Sequence, residues 1–210
     1  KDEKAKSPTF LEDNWTAKEA LRHPVSWLIL TAYSVGGFAL TGVLLHRVAY
    51  WESLGISPAL VAFGTALDPL TFMFSVVLFG IIGERVKLQY LGLYGGLVFS
   101  LSMVAIITST GQIYSIIVHN IVWAAGGGAY ITTNNLIWPN YFGRKFLGTL
   151  RGIVFPIQVV ATGLGPPVYG FLLDSGVAPK TLWVISAFLF IIAGLLLFLA
   201  APPKRRISTI

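Results

Sequence analysis

The stretch VISAFLFIIAGLLLFLAA, residues 184–201, carries a single polar side chain, Ser186. As a helix rising 1.5 Å per residue it reaches about 27 Å, close to the ~30 Å hydrocarbon core of a bilayer. A buried helix of a soluble protein would show a polar face at helical spacing, and this run shows none. A β-barrel would need short strands of alternating polarity, and that pattern is absent. The stretch is therefore read as the core of a membrane-spanning helix, Leu182–Ala201. Working back along the chain, comparable runs lie at Thr149–Leu173, Gln112–Trp138, Leu88–Ile107, Ala59–Ile82 and Ser26–Val48. The expectation is an all-α membrane protein with six transmembrane helices, integral and multi-pass.

Composition agrees. The 210 residues are 55% hydrophobic and only 11% charged, against about 25% charged in soluble domains. The absence of cysteine removes disulfides and thiolate metal sites. No metal site or cofactor is expected. A net charge of +6 would raise nucleic acid as a partner of a soluble protein; in a membrane chain it reports topology first. No cleavable signal sequence is visible in the polar first 25 residues, and residue 1 is Lys. These features are read as a fragment or processed piece, divided into a cytoplasmic segment 1–25, a membrane domain 26–201 and a basic tail 202–210.

With six spans both termini share one side. Every basic residue then falls on that side except Arg47 and Lys180. The positive-inside rule puts both termini in the cytoplasm of a plasma or inner membrane. Pro202 and Pro203 stop the last helix, and Lys204, Arg205 and Arg206 sit at the headgroups. The glycosylation sequon Asn14-Trp15-Thr16 lies on the cytoplasmic side and is read as unused.

Polar residues inside spans are informative because an ionisable group at mid-membrane is disfavoured by roughly 2.5–3.5 kcal/mol on insertion scales. Asp68 is the one acidic residue well inside a span, beside Pro69, which disturbs the helix. It reads either as a site for a proton, cation or amine, or as a shallow residue near the outer headgroups. Tyr33 and Ser34 in the first span, His119, Asn120 and Trp123 in the fourth, and Gln158 and Thr162 in the fifth are candidates for a solute or ion pathway. Each also reads as a helix–helix hydrogen bond or a packed side chain. Their uneven distribution makes spans one, two, four and five the cavity-lining ones, with six, and after it three, facing lipid. Gly126, Gly127 and Gly128 allow close helix approach, and Gly165, Pro166 and Pro167 are expected to loosen the fifth span.

The loop and helix motifs resemble a known family. Asn140-Tyr141-Phe142-Gly143-Arg144-Lys145, with Leu147-Gly148-Thr149 and Arg151-Gly152, resembles the cytoplasmic loop between helices ten and eleven of the major facilitator superfamily (MFS). Leu164-Gly165-Pro166-Pro167, then Gly170 and Asp174, resembles the eleventh helix of its monocarboxylate porter and oxalate/formate exchanger branch. Gly80 to Arg85 looks like a degenerate form of the superfamily's acidic–basic loop motif, and Trp15 to Trp27 resembles the entry to helix seven. The resemblance implies a C-terminal half-transporter bundle of two inverted three-helix repeats, with segment 1–25 the remnant of the central loop. It implies a missing N-terminal six-helix half as partner and a solute site between the halves. Glu84, Arg85, Arg144 and Arg151 would then form cytoplasmic gating loops. Animal monocarboxylate porters carry an Asp and an Arg four residues apart in helix eight; the aligned positions here are Phe72 and Val76. That pair does not carry over.

The resulting expectation is a secondary active transporter domain that moves a small organic solute, a monocarboxylate or other organic anion, by alternating access. A coupling proton or ion and membrane lipid are further partners; nucleic acid is not. A transporter-like sensor or non-transporting subunit is the alternative. An enzyme is not expected, since the spans hold no Gly-x-Ser-x-Gly, no His-Glu-x-x-His and no paired aspartates.

Overall fold

A computed structural model describes residues 14–204. The N-terminal Lys1, Lys4 and Lys6 and the tail residues Arg205 and Arg206, all used above for topology, lie outside the described residues. Eight helices account for nearly all of the rest, without a strand among the described residues: α1 (Ala17–Arg22), α2 (Pro24–Ser53), α3 (Pro58–Thr65), α4 (Leu67–Gly83), α5 (Leu88–Ile107), α6 (Ile113–Phe142), α7 (Leu147–Asp174) and α8 (Pro179–Leu199).

Local chemistry sets the ends. Gly55 and Gly176 adopt φ of 85° and 88°, a region open chiefly to glycine, and so terminate α2 and α7. Three residues later Pro58 and Pro179 occupy the first turns of α3 and α8, where the missing N–H costs nothing. Thr16 and Glu19 form a reciprocal capping box that starts α1. The span expected at Ala59–Ile82 is two helices, α3 and α4, meeting at Ala66 just before Asp68 and Pro69.

Five helical segments are long and apolar enough to cross a membrane: α2, α3–α4 together, α5, α7 and α8. These are the features of a multi-pass membrane protein. α6 is 30 residues long but less apolar. It carries His119, Asn120, Thr132 and Thr133, all buried. It packs against α3, α4 and α5, while α2 packs against α7 and α8, and α5 against α8. The core between them holds Trp51, Phe99, Trp183 and Phe190, each fully buried.

Glycine decides how closely these helices approach. A Cβ on Gly96 would stand 2.7 Å from the Cα of Gly194, and one on Gly126 would stand 2.9 Å from the backbone N of Phe99. α5 therefore lies backbone against backbone on both α8 and α6. By contrast, α4 and α7 leave much of their apolar surface open: Phe74 is 69% exposed and Phe171 70%.

The helix course qualifies two expectations. The stretch Gly163–Pro167, read as loosening the fifth span, does not interrupt it: α7 runs unbroken through Pro156, Pro166 and Pro167. A proline leaves the carbonyl four residues earlier without its helical donor. For Pro166 that carbonyl belongs to Thr162, and the hydroxyl of Thr41 on α2 donates to it at 2.6 Å. Gly165 is a close-contact position, since a Cβ there would collide with the carbonyl of Phe38. The second correction concerns Arg47, placed by sequence at the outer end of the first span. α2 continues to Ser53, and Arg47 is only 3% exposed within it.

Candidate functional site

Between α2 and α7 on one side and α4 and α6 on the other lies an open cleft of about 670 Å³. α7 contributes Phe155, Gln158, Val159, Thr162 and Gly163, and α6 contributes Trp123, Gly127, Tyr130, Ile131 and Asn134. Spacings of three and four put each set on one helix face. Tyr33, Gly37, Leu40 and Leu44 of α2, Asp68 and Phe72 of α4, and Phe99 of α5 complete the lining, and α8 contributes nothing.

Behind Asp68, which lines this cleft, sits a polar constellation. Arg47 donates from Nη2 to Asp68 Oδ2 at 2.5 Å, with the two side chains 4% and 15% exposed. Its Nη1 lies 3.3 Å from His119 Nε2. Arginine can only donate, so His119 Nε2 is the acceptor and its Nδ1 carries the hydrogen. That hydrogen goes to the Ser102 carbonyl at 2.9 Å. The guanidinium carbon lies 5.3 Å from the Trp123 ring centre and 5.9 Å from that of Trp51, within cation–π range. Arg47 Nε is buried without a partner. Arg47 lies six residues, about 9 Å, before the end of α2, and Asp68 is the second residue of α4, just past the break that separates it from α3. Sequence reasoning missed Arg47, although Leu44, Leu45, Val48 and Ala49 around it signal a helix interior.

The other expected site residues divide. Tyr33, Trp123, Gln158 and Thr162 line the cleft with Asp68. His119 stands behind it, reaching Asp68 through Arg47. Asn120 faces away: its amide donates to Gly64 and Ile116 carbonyls at 3.1 and 2.9 Å and steadies the end of α3. Ser34 Oγ is buried without a partner and does not border the cleft. Tyr33 and Tyr130 tie α2 to α6, each hydroxyl donating to the other helix's backbone. Gly127 borders the cleft, whereas Gly126 and Gly128 are close-packing positions against Phe99 and Ser75.

Of the expected gating residues, Glu84 and Arg85 lie exposed at the α4–α5 turn, and Arg144 lies in the α6–α7 turn. Arg151 belongs to α7 instead. Its Nη2 donates at 2.8 Å to the Asn135 carbonyl, the group that Pro139 leaves without a helical donor. It borders a second hollow of about 450 Å³, which shares Ile131, Asn134, Phe155 and Gln158 with the main cleft. No group of three or more metal-ligating side chains occurs among the described residues. No protein-family model matches this chain, and no curated protein matches it either.

Proposed function

We propose that this chain is a six-helix half of a secondary transporter of the major facilitator kind, moving a small organic anion by alternating access. The observation that carries the reading is the buried Arg47–Asp68 ion pair at the end of an open cleft. Charges within membrane helices are disfavoured and mark solute or ion paths. An anionic solute entering the cleft competes with Asp68 for the guanidinium of Arg47. The displaced carboxylate then takes a proton or a cation, which couples the two movements. His119 and the two indole rings hold Arg47 in place meanwhile.

The packing supports an inverted-repeat architecture. Exchanging α2, α3–α4 and α5 for α6, α7 and α8 turns the α2–α7 contact into α6–α4 and the α5–α6 contact into α8–α2, and maps α5–α8 onto itself. In this reading α6 is the sixth crossing. Its 30 residues span about 45 Å, and its His119, Asn120, Thr132 and Thr133 are buried against protein. Both termini are then cytoplasmic, and the open apolar faces of α4 and α7 take the second half. The test is uptake into proteoliposomes carrying the transporter formed with that half. Saturable uptake of at least one labelled carboxylate is expected. Uptake of an unrelated solute class with none of any carboxylate refutes the anion part.

A further inference from the structure

We infer a second anion subsite at the inner end of the cleft, centred on Arg151 and distinct from the Arg47–Asp68 pair. It takes a small monocarboxylate with an apolar body. The inference rests on the transport reading for its role but not for its chemistry. Three donors converge on the 450 Å³ hollow between α6 and α7. Arg151 uses one nitrogen on the Asn135 carbonyl, the one acceptor recorded for it among the described residues. The rest of its planar fork is available, the geometry that matches a carboxylate. Gln158, only 7% exposed, carries an Nε2 that is buried and without any acceptor. A buried donor left unpaired is disfavoured, and a ligand oxygen at this place would satisfy it. Asn134 accepts from Trp138 Nε1 at 3.3 Å through its Oδ1, which turns its own amide hydrogens to other acceptors.

No carboxylate lines the hollow, so the positive charge of Arg151 stands unopposed there. Trp138, Phe155 and Pro156 supply apolar walls for the body of the ligand. Arg151, Phe155, Gln158 and Thr162 succeed one another at helical spacing along α7. The inner subsite and the main cleft therefore share one wall, and Gln158 borders both. A carboxylate leaving Arg47 meets Gln158 and then Arg151 before it reaches the cytoplasmic end. Arg151 at one end of the shared wall, and Arg47 behind Asp68 on the facing helices, hold an anion in two successive positions instead of one deep one.

The experiment is binding of 4-fluorobenzoate to the chain in phosphatidylcholine nanodiscs, read by fluorine NMR line broadening. Arg151→Gln is expected to weaken binding by about tenfold or more, and Gln158→Leu by about threefold. Arg151→Lys, which keeps the charge but not the planar fork, is expected to bind between wild type and Arg151→Gln. Thermal stability is measured on each variant, since loss of the Asn135 contact alone lowers stability without touching binding. Binding equal to wild type in a folded Arg151→Gln overturns the inference. So does displacement of the probe by phosphatidylglycerol that itself depends on Arg151, which assigns the site to a lipid headgroup. Uptake separates this idea from the transport reading. Arg151-dependent binding without any carboxylate uptake keeps the subsite and removes the anion part of the transport reading. Carboxylate uptake without Arg151-dependent binding does the reverse.

Discussion

Arg47→Met and Asp68→Leu, made singly and together, measure what the buried ion pair contributes. In Asp68→Leu the guanidinium keeps His119 at 3.3 Å and the two indole faces, but no negative charge. Breaking a buried pair by removing one partner destabilises by about 3–5 kcal/mol, because an uncompensated charge stays behind. The guanidinium is the more enclosed partner, so Asp68→Leu should fall toward the upper part of that range. In Arg47→Met the orphaned Asp68 is 15% exposed and borders the cleft, where water reaches it, so the loss should be nearer about 3 kcal/mol. The double variant replaces both charges by apolar groups of similar volume and should lie within about 1 kcal/mol of the parent. Reversible unfolding in mixed micelles gives the cycle. Two singles within about 0.5 kcal/mol of the parent, or a double whose loss equals their sum, refute the pair as described. The double variant also separates stability from function: it is expected to fold and to move no carboxylate.

Three further predictions follow from packing and topology. Gly165→Ala places a methyl against the Phe38 carbonyl and should destabilise by about 1–3 kcal/mol. Gly163→Ala meets nothing within 4 Å and should be neutral or slightly stabilising, both read by the same unfolding assay. Thr41→Val removes the donor to the Thr162 carbonyl and should lower stability by about 1 kcal/mol, with faster amide exchange near Pro166 as the local signature. Because the chain has no cysteine, single cysteines report sidedness directly. Thr110→Cys and Ser175→Cys should react with an impermeant maleimide from outside, and Glu84→Cys and Lys145→Cys only from the cytoplasmic face.

The apolar runs made most of the helices legible. Leu88–Ile107 stands in the structure with the bounds read from sequence. Asp68-Pro69 announced the break between α3 and α4, since a proline removes a donor wherever it falls. α7 shows the limit of such local reading: the Thr162 carbonyl that Pro166 leaves without a helical donor is met by Thr41, more than a hundred residues away, and no local propensity reports that contact. The same holds for the site. Asp68 stood out because acids are rare in spans, but its partner was masked. Arg47 follows His46 near the end of an apolar run, and the boundary read at Val48 falls five residues short of Ser53. Only the folded helices bring residue 47 beside residue 68. Arg151 was grouped with Arg144 and Lys145 as loop charge, although its spacing to Phe155, Gln158 and Thr162 already placed it on the cleft face of a helix. α6 was legible as a helix, yet polar residues such as His119, Asn120, Thr132 and Thr133, all buried against protein, hold its hydropathy down.

Alternating access through the cleft is the central claim, and Gly163 offers the most direct test of it. It borders the cleft with open space around it, so Gly163→Cys adds one reactive group without disturbing packing. In the transporter formed with the second half, this cysteine should react with an impermeant maleimide applied from either side of the membrane. A transported carboxylate should slow both reactions. Reaction from one side only, unchanged by any carboxylate, contradicts the account.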